Sequence, residues 1–240
     1  FDATGVGKEK LDRLYPSYVK RYADVGIDIS KTPFEIAPAP HTSLGGIDIS
    51  GDCGTPVRGL FACGEIVGGI HGANRVGGNA GLETMVFGNK AGLSAAAYLA
   101  GASDNCPTSV EIENFVSPLF EGEASISDSE LTIKRADMGA VLSEDVNVLR
   151  CGTELTAADN KLTAVYKRLR DGACRCDSPA STYNKLRLHN DVLTALLLTK
   201  AANARTESSG CHVRTDCDSE AENKYTIKIT KCDGGVNLEK

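Results

Sequence analysis

The chain has 240 residues, 41% of them hydrophobic and 24% charged, and a formal net charge of −6. Such a chain can bury a core, while its acidic balance, with no lysine or arginine run, gives a nucleic acid backbone no matching surface. No apolar stretch reaches the roughly 18 residues of a membrane helix, and the start lacks the basic-then-apolar plan of a secretion signal.

These absences lead us to expect a soluble, cytoplasmic protein without a transmembrane segment. The chain contains nine cysteines, an odd number, with no Cys-x-x-C pair among them. That pattern points to reduced structural thiols rather than a disulfide framework or a metal centre.

In residues 1–33, Leu11, Leu14, Val19, Tyr22 and Val25 are spaced for short amphipathic helices interrupted at Pro16. The opening on Phe1 reads as mid-domain, so a longer parent polypeptide is expected. Next comes "FEIAPAPHTSLGGIDIS", where prolines and a glycine pair separate short apolar strands. The stretch "VRGLFACGE" reads as a buried strand, with Cys63 a small buried residue inside it.

The segment "GGIHGANRVGGNAG" then forms a glycine-rich turn before a helix expected from about Asn79 to Leu99, with Asn79 as its N-cap. Free amides and the positive end of the helix dipole would face an electron-rich ligand edge there. The spacing is not the first-strand dinucleotide fingerprint, which needs a strand directly before the glycines and an acid about 20 residues on.

Beyond about residue 103, "SELTIKRADMGAVLSEDVNVLR", "ELTAADNKLTAVYKRLRDG" and "STYNKLRLHNDVLTALLLTKAANAR" are amphipathic. In the last, Leu186, Val192, Leu193, Leu196 and Leu197 lie on or near one stripe. Three such helices suggest a small bundle, with "CRCDSPAS" as a loop between two of them. The alternation in "YTIKITKCDGGVNLEK" predicts a final hairpin.

In order and spacing, "HTSLGGI", "GLFACGE", "GGIHGANRVGGNAG" and "ETMVFGNKAG" resemble the C-terminal portion of the succinate dehydrogenase and fumarate reductase flavoprotein subunits, a family that includes L-aspartate oxidase. Further on, "ARTESSGCHVRTD" is similar to that family's Glu-Ser-Arg-Gly-x-His-x-Arg-x-Asp segment, with Ser209 in place of its arginine. The resemblance implies an α/β plus α fold: a partial FAD-binding sheet segment, then a helical (three-helix) bundle and a terminal hairpin. The domain limits it implies are 1–33 for the end of a mobile capping domain, 34–102 for the FAD-binding domain, 103–225 for the helical domain and 226–240 for the hairpin.

The activity implied is hydride transfer between flavin N5 and the double bond of a small dicarboxylate, fumarate or succinate, with FAD as cofactor. Arg75 matches the substrate-binding arginine, and its planar guanidinium suits a carboxylate. His41 matches a histidine that hydrogen-bonds the substrate. Glu65, Ala80 and Gly81 match cofactor-binding positions, and His71 and Asn74 are further candidates to line the cofactor. No catalytic residue is placed: the resemblance implies a capping-domain arginine as proton donor in the missing part, alongside a missing N-terminal FAD-binding portion, so the fragment alone is expected to be inactive.

Two other readings stand beside this one. One is an L-aspartate oxidase-type flavoenzyme; the other is a non-catalytic fragment that docks a partner subunit. An electron-transfer subunit is an expected partner in electron transport, and through it a peripheral place at a membrane. The incomplete sheet segment leads us to expect self-association, or rearrangement of residues 1–102.

Overall fold

The computed structural model describes residues 1–36, 40–102, 108–116, 124–170, 174–175, 178–217, 225–232 and 235–239. It is mostly helical with few strands, and divides into two units, Phe1–Ser43 and Leu44–Lys240.

In the first unit, a 3-10 turn at Thr4–Val6 leads into α1 (Lys8–Leu14) and α2 (Pro16–Ala23). Pro16 is the first residue of α2, where its missing N–H breaks no helical bond and its fixed φ favours helix entry. Ala3, Leu11 and Ile29 form a small core against Val19, Tyr22, Ile27 and Phe34. The Tyr22 and Phe34 rings are tilted at a centroid distance of 4.4 Å, and the Phe34 amide donates to the Phe1 carbonyl at 3.0 Å.

In the second unit, residues 44–78 contain no regular strand. Their pairing is limited to isolated bridges, Ile47 with Val67 in parallel and Gly54 with Phe61 in antiparallel. The strand expected at "VRGLFACGE" is absent: Val57 and Leu60 are exposed and Cys63 is half-buried. A strand exists only where neighbouring backbone satisfies its N–H and C=O groups, and the described residues supply only those single bridges.

After the loop, α3 runs from Asn79 to Ala100. Its N-cap is Gly78, at φ 88°, and Asn79 is already helical, so the expected Asn79 side-chain cap is not formed. A short α4 (Ser109–Val116) follows, a helix the sequence pattern did not announce. The helices α5 (Asp128–Asp145), α6 (Gly152–Arg170) and α7 (Pro179–Ala204) carry the main core.

Ser127 caps α5 by accepting from the Glu130 amide, and Ser178 caps α7 by accepting from the Ser181 amide, with Pro179 at the first helical position. Leu155, Ala158 and Leu162 of α6 pack with Val141 of α5 and with Ala195, Leu196 and Ala202 of α7. A second cluster joins Ile126, Leu131, Leu169, Leu188 and Val192.

On α7 the buried side chains are Ser181, Thr182, Lys185, Leu188, Val192, Ala195, Leu196, Thr199 and Ala202. Leu186, Leu193 and Leu197 are only half-buried, so the helix is rotated relative to the leucine stripe of the sequence. Small and polar residues close to neighbouring helices claim part of that face.

Among the described residues, three two-stranded ladders complete the unit. Strand β1 (Ala124–Ser125) runs parallel to β3 (Cys174–Arg175), so part of the expected "CRCDSPAS" loop is a strand. Parallel to each other also are β2 (Leu149–Arg150) and β4 (Val213–Arg214). The antiparallel hairpin is β5 (Lys228–Cys232) with β6 (Gly235–Glu239), in register from Lys228 opposite Glu239 to Cys232 opposite Gly235.

Candidate functional site

The glycine-rich stretch before α3 is held by backbone contacts from two distant segments. Upstream, the Ile47 amide donates to the Ile66 carbonyl at 2.9 Å and the Gly68 amide to the Ile47 carbonyl at 3.0 Å. Contact is so close that a Cβ on Gly46 would run into the Ile66 carbonyl. "HTSLGGI" and "GEIVGG" therefore lie against each other from Gly45 onward. His41 is exposed and belongs to the Phe1–Ser43 unit.

Within the loop, His71 Nε2 lies 2.9 Å from Glu83 Oε2, with side chains 17% and 6% exposed. The second oxygen of Glu83 and the Nε of half-buried Arg75 are both buried and have no hydrogen-bond partner among the described residues. A buried polar atom left without a partner is costly, so each marks a place where a ligand or further chain would complete the bonding.

Glu83 was not singled out from the sequence. Hydropathy gives no signal for it, because α3 buries Glu83 while exposing Leu82 (63%), Met85 (77%) and Val86 (53%).

The first turn of α3 contains no acidic residue and receives no side-chain cap. Amides from Ala80 and Gly81, together with the helix dipole, thus offer an anion-favouring end. Val76, three residues before α3, and Ile66, earlier in the glycine-rich stretch, are exposed. Amide donors, a guanidinium and apolar side chains fit a flat, partly apolar group with an electron-rich edge, as an isoalloxazine ring is. Glu65 is exposed next to Ile66, a carboxylate able to accept from ligand hydroxyls.

The Arg205–Asp216 segment packs against this loop. Arg205 Nη1 donates to Glu207 Oε1 at 2.6 Å, and the Tyr225 hydroxyl donates to Glu207 Oε2 at 2.6 Å. Burial opposes charge on Glu207, yet Tyr225 and Arg205 outweigh it and hold the carboxyl below its ordinary range. Arg214 grips Asp216 through two bonds, Nε to Oδ1 at 2.8 Å and Nη2 to Oδ2 at 2.9 Å. Asp216 Oδ2 also accepts from the Gly152 amide at 2.9 Å, which ties this segment to the start of α6. The Arg214 bonds first, and then that amide, hold the Asp216 carboxyl well below the usual carboxylate range.

His212 is buried, with Nδ1 2.7 Å from Arg150 Nη1 and Nε2 3.2 Å from the Arg205 carbonyl. Burial first, then the positive charges of Arg150, Arg205 and Arg214, push the imidazole below its ordinary pKa. In the neutral ring, Nδ1 accepts from Arg150 and Nε2–H donates to the carbonyl. The turn preceding it reaches the glycine loop, where the Cys211 amide donates to the Ala73 carbonyl at 3.1 Å and its Sγ to Asn74 Oδ1 at 3.1 Å.

The structure thus gathers Glu65, His71, Asn74, Arg75, Ala80 and Gly81 along one loop and helix start. Among the described residues there is no cluster of three or more metal-ligating side chains, and no helix is long and apolar enough to cross a membrane.

Two family models match the chain: an FAD binding domain over residues 1–80 and a fumarate reductase flavoprotein C-terminal domain over residues 135–238. The chain is 33% identical over 239 residues to a fumarate reductase (CoM/CoB) subunit of Methanothermobacter marburgensis, covering 96% of this chain and 42% of that protein. It is 34% identical over 218 residues to an L-aspartate oxidase of Mycobacterium bovis, covering 90% and 37%. Superposed on E. coli quinol fumarate reductase, it gives a TM-score of 0.84 at 27% identity, over 99% of this chain and 43% of the other. The chain therefore spans well under half the length of the relatives it matches. The FAD binding domain match, together with relatives named as flavoproteins, among them a fumarate reductase flavoprotein subunit of Escherichia coli, assigns FAD as the cofactor.

Proposed function

As the chain belongs to the fumarate reductase and succinate dehydrogenase flavoprotein family, we propose that these residues form the dicarboxylate-binding and flavin-facing part of an enzyme that reduces fumarate or oxidises succinate. The observation that carries this is Arg75: a half-buried guanidinium whose buried Nε has no partner among the described residues, on the glycine turn before the uncapped start of α3. Bound FAD would supply a hydride donor and acceptor at N5.

In this reading Arg75 binds one substrate carboxylate through its planar fork and fixes the orientation of the double bond. His41 donates a hydrogen bond to the substrate and draws electron density from the reacting carbon, an electrostatic role rather than proton transfer. Glu65 accepts from cofactor hydroxyls, and the Ala80 and Gly81 amides stabilise negative charge at the ring edge. The His71–Glu83 contact holds the loop to α3, so His71 acts through position. In this reading residues 103–225 are the helical domain, whose Cys211 contacts the loop at Ala73 and Asn74, and the natural electron partner is a separate subunit.

A second reading, hydride removal from aspartate, is favoured by the 34% identity to an L-aspartate oxidase. Comparing fumarate, succinate and aspartate as reactants for the FAD-loaded holoenzyme separates the two. Fumarate-dependent reoxidation of the reduced flavin, lost in Arg75→Ala, is the expected result. A well-folded, flavin-loaded enzyme that turns over none of the three would overturn the assignment.

A further inference from the structure

We propose that the Ser209–His212 turn is a positioning element for Arg75, setting the loop that presents the guanidinium. This rests on the reading that Arg75 binds a substrate carboxylate.

The loop has little structure of its own. From Ile70 to Gly78 it forms no regular element, and its end is tied to α3 by the Asn79 amide, which donates to the Val76 carbonyl at 3.2 Å. Its conformation is imposed from outside. On one side His71 is held by Glu83 of α3. On the other, the Cys211 amide and Sγ bind Ala73 and Asn74, the two residues immediately before Arg75.

The turn is itself rigid. Ser209 and His212 exchange both backbone bonds, at 2.8 and 3.0 Å. Gly210 at its tip has φ +56°, and any Cβ there would be driven into the Ala73 carbonyl. Behind the turn, His212 is wedged between Arg150 and the Arg205 carbonyl, and the same carbonyl accepts from Arg214 Nη1 at 2.8 Å. Arg150 is anchored in turn by its Nε, which donates to the Val146 and Asn147 carbonyls at the end of α5.

A continuous chain of contacts thus runs from the α5–α6 connection through Arg150, His212 and Cys211 to Ala73 and Asn74. Rigid support of this kind reduces the ordering cost when a guanidinium binds its ligand.

The test uses Gly210→Ala, which forces the turn off the loop, together with Cys211→Ala and the conservative Cys211→Ser. Cys211 is exposed, so its substitution leaves the packed core alone. Hydrogen exchange by mass spectrometry should show peptides covering residues 73–78 exchanging at least about tenfold faster in Gly210→Ala, with α5, α6 and α7 unchanged. Cys211→Ala should show a smaller increase, and Cys211→Ser, which keeps a donor for Asn74, should restore protection.

In the FAD-loaded holoenzyme, Gly210→Ala should raise the fumarate concentration for half-saturation about tenfold. Unchanged loop exchange in both Gly210→Ala and Cys211→Ala would overturn the contact's role. Faster loop exchange with unchanged half-saturation would overturn the link to Arg75. A wild-type enzyme indifferent to fumarate would instead sink the carboxylate reading, whatever the exchange data show.

Discussion

Replacing Leu188 by alanine tests which face of α7 is built into the core. Leu188 is fully buried among Ile126, Leu131, Leu169 and Val192. Losing three buried carbons costs about 2.4 kcal/mol at ~0.8 kcal/mol each. The four neighbours come from three helices and the segment preceding α5, so the site cannot collapse fully, and the remaining cavity brings the expected total to about 3–4 kcal/mol. For a unit of this size that is a fall in Tm of roughly 6–16 °C.

Leu186 is half-buried on a neighbouring flank, and Leu186→Ala should cost about half as much or less. Thermal and urea unfolding followed by the helical signal at constant pH measures both. Equal losses for the two variants, or a larger one at Leu186, would refute the rotation of α7 described above.

Ser178→Ala removes the side-chain acceptor for the Ser181 amide at 3.1 Å and should destabilise the chain by ~1 kcal/mol in the same unfolding assay, with Ser178→Asp retaining most of it. Stability should also fall on the acid side through His212. Its folded pKa lies below the ordinary 6.5, so above that pH neither state is protonated and its contribution is complete. Below it the unfolded chain takes up a proton that the folded chain refuses, and stability declines with pH. Urea midpoints measured from about pH 7 to about pH 5 should therefore drop more steeply for wild type than for His212→Gln, and identical slopes would count against a neutral His212 between arginines. Arg75→Lys keeps the charge but loses the planar fork, so it should weaken fumarate binding nearly as much as Arg75→Ala.

Much of the helical part was legible because apolar periodicity and caps are local signals. α3 begins and ends within a residue of its expected limits, and α6 and α7 within two or three. The buried face of α7 was less legible, since Ser181, Thr182 and Lys185 occupy positions that hydropathy assigns to solvent. The strand expected at "VRGLFACGE" failed for a non-local reason: an apolar run becomes a strand only when a neighbour pairs with it.

At the site, the glycine turn and Arg75 were visible as motifs. Glu83 was hidden inside a helix, and the Cys211–Asn74 contact joins residues 137 positions apart. The short β2–β4 ladder that brings Arg150 to His212 has no sequence signature either, being two residues long in each strand.

The most direct test of the account is a fumarate titration of the visible flavin spectrum in the FAD-loaded holoenzyme, wild type against Arg75→Ala. If Arg75 holds the dicarboxylate, wild type shows a saturable shift of the flavin band that disappears in the variant while the bound flavin content stays the same. A shift of equal size and affinity in both proteins would show that Arg75 does not hold the dicarboxylate, and would contradict the assignment of the glycine loop as a shared cofactor and substrate site.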